Sequence, residues 1–420
     1  MKRLKIGLTT QIFIAMIAGT LSGIIFGSSA VPLKIIGDVW LNLIKLSIVP
    51  IVLCVIMTGI VGQKDGKTLG RISSRILLYY LFTTVCAAAI GLVVALFIEP
   101  GIGDAALKLA AGKTAKVEQI TLAGFLNKMI SSNMFKSFVD GNILQVLIIA
   151  ILLGVATLRI KNEEYKNAVL SGIHGLNALF MSFIHMVMII SPIGVFCLMA
   201  SALGSYGLEL LVSIGSLTLV FYLSFAVQVL LVYCLTVWIF ARITPWDFLR
   251  RTMPVWMFTI ATCSSTAAIP VSLNTMTRRF SVDENISSFS IPLGSQVNHD
   301  GSAILFSCVI MFTAQISGTP FDIVNMLQAV LLGVLISAGG GGIPGAGIVK
   351  VFIMLEAFGL PTEIGAIVAA FYRVFDMGIT TANCLGDSAG TIIIDRLERL
   401  RRGESANRPE DDQEAVAEAA

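Results

Sequence analysis

Six apolar runs, each long enough to cross a lipid bilayer, dominate the first 241 residues of the chain. They lie near residues 8–29, 35–61, 76–98, 142–160, 167–200 and 208–241. A spanning helix needs ~20 consecutive apolar residues, and only helices and closed barrels satisfy all backbone groups inside lipid. With 56% hydrophobic and 13% charged residues, the chain has too little charge for a soluble domain. We therefore expect an all-α membrane protein.

Basic residues between the runs predict the orientation, because Lys and Arg concentrate on the cytoplasmic side. Lys2, Arg3 and Lys5 precede the first run, which has no small-residue cleavage signal, so we expect an uncleaved span and a cytoplasmic N-terminus. The long polar connector 100–141 is expected outside. Four arginines follow Ile394 and predict a cytoplasmic C-terminus, ahead of an acidic tail that we expect to be disordered.

Two later segments are poor candidates for straight spanning helices. Residues 254–274 have arginine pairs on both flanks and a run of small polar residues that ends at Pro270. A re-entrant hairpin with its tip at the serines explains both features, and a kinked span is the alternative. Residues 337–347 contain six glycines and a proline, which predicts a second hairpin, entering from the outer side. No Gly-Lys-Ser/Thr follows these glycines, as a phosphate-binding loop would require.

Polar residues interrupt the two spans that follow the hairpins. Residues 298–302 read Asn-His-Asp-Gly-Ser inside the apolar segment 289–317, which predicts an unwound turn able to hold a cation, or else a satisfied polar kink. In 372–390, four polar residues recur at helical spacing on one face: Asp376, Thr380, Asn383 and Asp387. Such a stripe is costly in a membrane unless it lines a site, the alternative being a polar seam between helices.

A hairpin followed by a polar-striped span therefore occurs twice, once from each side of the membrane. That arrangement is the sequence signature of an inverted repeat with a binding site near the middle of the bilayer.

These segments resemble those of the glutamate transporter family, the dicarboxylate/amino acid:cation symporters. Ser264-Ser265-Thr266 with Ala267-Ala268-Ile269-Pro270 is similar to the family's serine-rich first hairpin tip, and 342–347 (Gly-Ile-Pro-Gly-Ala-Gly) to its second. Asn298-His299-Asp300-Gly301-Ser302 resembles its Asn-Met-Asp-Gly-Thr turn. The last helix matches through Asp376-Met377-Gly378, Thr380, Asn383 and Asp387. The resemblance covers nearly the whole chain.

The resemblance implies about eight transmembrane helices plus two re-entrant hairpins, assembled as a homotrimer in the plasma or inner membrane of the cell. A scaffold would comprise residues 1–75 and 99–207. A transport domain, comprising 76–98 and 208–395, would carry the substrate by an elevator movement, with the second hairpin as outer gate. Residues 396–420 would form the cytoplasmic tail. The partners implied are an amino acid and the lipid bilayer, with no nucleic acid and no enzymatic activity.

Residue roles follow from the same resemblance. Asp376 would bind the substrate's amino group, and Asn383 its α-carboxylate together with the backbone at the hairpin tip. The full substrate set implied is Ser264, Ser265, Ser302, Ile343, Gly347, Asp376, Ile379, Thr380 and Asn383.

Sodium is the implied coupling ion, at three oxygen-lined sites. One would use Asn383 and Asp387 with backbone of Gly294 and Asn298. Another would use backbone of Gln296, Ser337, Ala338 and Gly340, and a third Tyr80, Thr83, Thr84, Asn298 and Asp300. Such oxygen donors suit a hard cation.

Departures from the family pattern bear on specificity and coupling. The helix arginine that pairs with an acidic substrate is Ile379 here, and the arginine some members carry before the serine triplet is Cys263. The turn methionine is His299, and a glutamate linked to proton coupling in mammalian members is Phe306. These residues predict a sodium-coupled symporter of small neutral amino acids. An acidic amino acid or dicarboxylate carrier and a proton-coupled variant using His299 are the alternatives.

Two other classes fit less well. An intramembrane hydrolase could use a hairpin serine with His299 and Asp300, but adjacent helical side chains diverge and no nucleophile elbow is present. A channel is disfavoured because hairpins from both sides indicate alternating gates. The sequence leaves open which amino acid is carried and how many ions accompany it.

Overall fold

The computed structural model describes residues 8–46, 48–61, 67–102, 130–140, 143–337 and 346–403. All regular secondary structure within these ranges is helical, which confirms the all-α prediction. The first elements are α1 (Leu8–Phe26), a 3-10 helix (Gly27–Leu33), α2 (Lys34–Leu46), α3 (Ile48–Val61), α4 (Lys67–Ile98), α5 (Met134–Val139), α6 (Ile143–Leu158), α7 (Glu163–Ile189) and α8 (Ser191–Tyr206).

The second half begins with α9 (Glu209–Val227), which continues through a π-helical segment (Gln228–Cys234) into α10 (Leu235–Ala241). The remaining helices are α11 (Pro245–Arg251), α12 (Met253–Thr262), α13 (Ser265–Arg279), α14 (Glu284–Val297), α15 (Asp300–Ile316), α16 (Ile323–Ser337), α17 (Ala346–Ala357) and α18 (Thr362–Arg401).

The structure divides some of the predicted runs. The run 167–200 breaks at Ile190, where α8 starts with a proline in its first turn, a position that needs no backbone N–H donor. The run 35–61 consists of α2 and α3, with residue 47 outside the described ranges. The run 208–241 stays continuous but widens into the π-helical segment. Length and hydropathy alone therefore locate the apolar segments without locating their breaks.

Both predicted helix interruptions with described residues are present. Cys263 ends α12 in the left-handed conformation, with φ of 49°, and the Ser264 side chain caps α13 by accepting from the N–H of Ala267. Asn298 and His299 separate α14 from α15 with non-helical backbone angles. The tip of the second predicted hairpin, residues 338–345, lies outside the described residues.

Five helical stretches in the described part of the chain are long and apolar enough to cross a membrane. They are Thr10–Trp40, Ser74–Ile98, Leu210–Ala241, Glu284–Ile316 and Thr362–Arg401. Shorter apolar helices, among them α12 and α16, accompany them. The figure of eight crossings remains a prediction.

Helix packing forms two neighbourhoods. In the first, α1 packs along α8, and α3 packs on α6 and α7. Gly19 and Gly23 let the backbones of α1 and α8 approach closely, since an added Cβ would lie 2.6 Å from the carbonyl oxygens of Phe196 and Ala200. In the second, α18 packs against α12, α14 and α15, while α15 also packs on α4. The 40-residue helix α18 is thus the core of the neighbourhood that holds the polar stripe.

Candidate functional site

The polar stripe of α18 is buried along its whole length. Asp376, Thr380, Asn383 and Asp387 are each at most 5% exposed. They face the interruption between α14 and α15 on one side and the α12–α13 turn on the other. The stripe is therefore surrounded by polar groups from other helices, as a binding site requires.

Asp376, the first residue of the stripe, has polar side chains around its carboxylate. The hydroxyls of Thr380 and Tyr372 lie 3.4 and 3.5 Å from Asp376 Oδ1. The guanidinium of Arg373 lies 3.8 Å from Oδ2 and also donates to the carbonyl of Thr262 at 3.3 Å. This arginine joins α18 to the hairpin and partly balances the charge of Asp376.

The α12–α13 turn supplies the neighbouring wall. Cys263 is buried and lies close to Asp376 and Arg373. Ser265 is buried beside the thiol of Cys384. The first backbone N–H groups of a helix have no partner within the helix and carry partial positive charge. The start of α13 can therefore receive a carboxylate.

Asn383, Asp387 and Asn298 meet in the middle of the stripe. The side-chain amide of Asn298 donates to Asp387 Oδ1 at 3.0 Å and to the carbonyl of Asn383 at 3.2 Å. Asn383 Oδ1 accepts from the N–H of Gly301 at 2.9 Å, which leaves its NH₂ group as the donor for a carboxylate. Asn298 Oδ1 is buried and has no hydrogen-bond partner among the described residues.

Gly294 allows α14 and α18 to approach closely at Asp387. A Cβ on Gly294 would lie 2.4 Å from Asp387 Oδ1 and 2.6 Å from the hydroxyl of Tyr80. No side chain fits between the two helices there.

A second carboxylate, Asp300, is completely buried at the start of α15. It accepts hydrogen bonds from Thr84 at 2.6 Å, from Tyr233 at 2.7 Å and from Gln228 at 3.4 Å. The backbone carbonyl of Tyr80 accepts from the hydroxyl of Thr83 at 3.1 Å and lies 2.8 Å from the hydroxyl oxygen of Thr84. The residues predicted for this cation site therefore lie together.

Sequence reasoning missed Gln228 and Tyr233. Both lie in the π-helical segment, whose wider turn puts residues five apart on one face. The available signal was a glutamine and a tyrosine inside the otherwise apolar run 208–241.

Several other predicted site residues lie at helix ends or outside the described ranges. Ile343, Ala338 and Gly340 lie outside the described residues. Gln296 is an exposed side chain near the end of α14, whereas Ser302 is buried in the first turn of α15. Gly347 packs on Tyr372, and a Cβ there would lie 1.9 Å from the tyrosine hydroxyl. Ser337 is buried at the end of α16, where its carbonyl accepts from Lys350.

The model of the sodium:dicarboxylate symporter family matches residues 8–397. The chain belongs to this family. The proton/sodium-glutamate symport protein of Bacillus subtilis (strain 168) is 30% identical over 412 residues, covering 95% of each chain. The C4-dicarboxylate transport protein of Pseudomonas savastanoi pv. phaseolicola (strain 1448A / Race 6) is 30% identical over 96% of this chain and 91% of its own. That of Caulobacter vibrioides (strain ATCC 19089 / CIP 103742 / CB 15) is 30% identical over 94% and 98%.

Membership in this family of symporters identifies the chain as a multi-pass membrane transporter for a small molecule and a cation. The donors around Asp300 and Asp387 are carboxylate, amide, hydroxyl and backbone oxygens, which are the ligands of hard cations. The buried acceptor of Asn298 has no partner among the described residues and would gain one in a bound cation. The site therefore fits an alkali cation.

Proposed function

We propose that this protein is a secondary active symporter that couples sodium movement to the transport of small neutral amino acids. The symporter family and the oxygen donors around Asp300 and Asp387 support the coupling ion. The substrate class follows from the residues that would face its side chain.

The apolar character of Ile379 is the observation that carries the substrate class. Ile379 is 3% exposed, lies three residues after Asp376, and its backbone packs against Gly301 in the first turn of α15. Cys263, the other position where the family can carry an arginine, is buried near Asp376. A side-chain carboxylate buried here would lack a cation from either position, at a cost of several kcal/mol. A small apolar side chain would instead gain ~0.8 kcal/mol per buried methylene.

Asp376 favours an amino acid over a plain dicarboxylate, because a substrate ammonium complements its charge. The substrate's α-carboxylate would bind the NH₂ of Asn383 and the N-terminus of α13. Succinate or malate has no cation to offer Asp376, so neither is expected to compete as well as serine or alanine.

Arg373 supports a second candidate, transport of an acidic amino acid. Its guanidinium is buried within ion-pair distance of Asp376 and could turn to a substrate carboxylate. To do so, it would have to give up its hydrogen bond to the carbonyl of Thr262. We favour the neutral substrate because this bond fixes the arginine to the hairpin.

Packing supports the proposed division into a scaffold and a moving transport domain. The neighbourhood of α1, α3, α6, α7 and α8 corresponds to the proposed scaffold, and that of α4, α9 and α12–α18 to the transport domain. The homotrimer is proposed from the family resemblance alone.

Competition for sodium-driven uptake in proteoliposomes tests the substrate class. Wild-type uptake of labelled serine or alanine should be blocked by small neutral amino acids and only weakly by aspartate or glutamate. Ile379→Arg should gain affinity for aspartate and lose it for neutral substrates, because a guanidinium beside Asp376 offers a bidentate partner. Ile379→Leu, which adds no charge, should keep the wild-type order.

Tight aspartate binding by the wild type, with neutral amino acids ignored, would refute the proposal. If Arg373→Met then abolished aspartate binding, the second candidate would replace it.

A further inference from the structure

A buried lysine lies beside His299 and has no role in the proposed function so far. Lys350, on α17, is 5% exposed, and its Nζ lies 3.5 Å from the carbonyl oxygen of Ser337. It makes no ion pair with any carboxylate among the described residues. An ammonium group in the apolar interior is costly unless negative charge faces it.

The end of a helix supplies negative charge to this ammonium group. Ser337 is the last residue of α16, and the last carbonyls of a helix have no intrahelical partner and carry a partial charge of about −0.5. Val297 ends α14, and the buried ring of His299 lies next to the backbone of Val297 and Ser337 and next to Lys350. The end of α16 therefore contacts the ammonium group, and His299 connects this point to the end of α14.

Few partners are available to the polar atoms at this point. The hydroxyl of Ser337 is buried and makes no hydrogen bond among the described residues, and the buried ring of His299 has only the backbone of Val297 and Ser337 beside its nitrogens. A serine hydroxyl and a neutral imidazole each offer an acceptor as well as a donor, so a cation at this point gains acceptors that other groups leave free. Lys350 is the basic side chain nearest to it among the described residues.

We propose that the ammonium of Lys350 is a chain-borne cation that takes the place of a sodium ion at the ends of α14 and α16. Gln296 and Ser337, whose carbonyls are expected to bind sodium, lie at these same helix ends. Lysine suits the role because its ammonium is a compact point charge on a flexible stem. The protein then binds one sodium ion fewer than its oxygen-lined sites would allow. This inference rests on the proposed sodium coupling, which it refines.

Sodium-dependent thermal unfolding of the purified full-length protein tests the inference without any substrate. An ion that binds only the folded state raises the free energy of unfolding. Once sodium exceeds the dissociation constant, this gain grows with the logarithm of the sodium concentration for each bound ion. Choline chloride keeps the ionic strength constant. We expect Lys350→Met and Lys350→Gln to steepen the dependence of Tm on log sodium concentration by the equivalent of one ion. Lys350→Arg keeps the charge and should retain the wild-type slope.

Lys34→Met is the matched control, because Lys34 is exposed at the start of α2, where it pairs with Asp38. Wild-type slopes in both neutral Lys350 variants would overturn the inference while leaving sodium coupling intact. So would neutral variants that stay unfolded even in molar sodium, because the ion would then fail to replace the ammonium. A wild type insensitive to sodium would refute the proposed coupling. If the wild type is insensitive to sodium but Lys350→Met is stabilised by it, the inference is still supported. If neither protein responds to sodium, both the inference and the proposed sodium coupling are wrong.

Discussion

At the residue scale, cation binding depends on two buried carboxylates, Asp300 and Asp387. Loss of one partner from a buried charge pair costs ~3–5 kcal/mol, which corresponds to at least about 100-fold in affinity. We expect Asp300→Asn and Asp387→Asn each to abolish sodium-dependent uptake, while each isosteric amide preserves packing. Sodium titrations of uptake and of Tm measure the loss.

Asp322→Asn is the control for this prediction. Asp322 is an exposed carboxylate whose Oδ1 accepts from the N–H of Asn325 at the start of α16, a bond that an asparagine can also accept. The Asp322→Asn variant should therefore have unchanged sodium affinity. Uptake that persists in sodium-free buffer, driven by a pH gradient alone, would contradict the assignment of sodium.

Single residues also mark the limit of prediction from sequence. Asn298, Asp300 and Asp387 were predictable because each is polar within an apolar segment of spanning length. Gln228 and Tyr233 also interrupt an apolar run, but their shared contact with Asp300 was not predictable, because in an α-helix residues five apart point about 140° away from each other. Only the π-helical segment, which depends on tertiary packing, turns both toward Asp300.

At the scale of elements, α17 contacts α18 through Gly347. The hydroxyl of Tyr372 occupies the space that a Cβ at position 347 would need, and it also lies 3.5 Å from Asp376. Gly347→Ala should therefore displace either α17 or Tyr372 and weaken substrate binding by roughly 5- to 150-fold, since overpacking costs ~1–3 kcal/mol. Sodium affinity at Asp300 should change little, and substrate titrations at fixed sodium measure the effect.

A double-mutant cycle separates steric displacement from general instability. Tyr372→Phe removes the hydroxyl and should recover part of the affinity lost in Gly347→Ala, giving a favourable interaction term. Strictly additive losses in Gly347→Ala/Tyr372→Phe would contradict the contact. Gly215→Ala is a matched control, because nothing lies within 4 Å of its added Cβ.

Charge and composition predicted part of the element boundaries. Paired arginines on both flanks of residues 254–274 and the serines between them predicted the α12–α13 break, which the structure contains. The break falls at Cys263, a non-glycine residue in the left-handed region. No local propensity predicts that conformation, because it is disfavoured for most side chains and persists only where packing enforces it.

At the scale of the whole molecule, transport by an elevator requires the two packing neighbourhoods to slide past one another. α8 and α18 contact each other across this boundary. A cavity of about 240 Å³ lies between these two helices. It is lined by Leu198 and Ala202 from α8 and by Ala366 and Ile367 from α18. If the two bodies move as proposed, this cavity is a place where they can be joined chemically.

Joining the two bodies tests the movement. In the double variant Ala202→Cys/Ala366→Cys, a reducible bifunctional thiol reagent should link α8 to α18 across the cavity. Uptake should then fall to background, because a rigid-body step is blocked, while sodium-dependent stabilisation persists because the cluster around Asp300 and Asp387 is untouched. Reduction of the linker should restore uptake, and each single cysteine variant treated alike should transport throughout. Full uptake by the cross-linked protein would mean that substrate crosses without relative motion of α8 and α18, and the elevator proposal would fail.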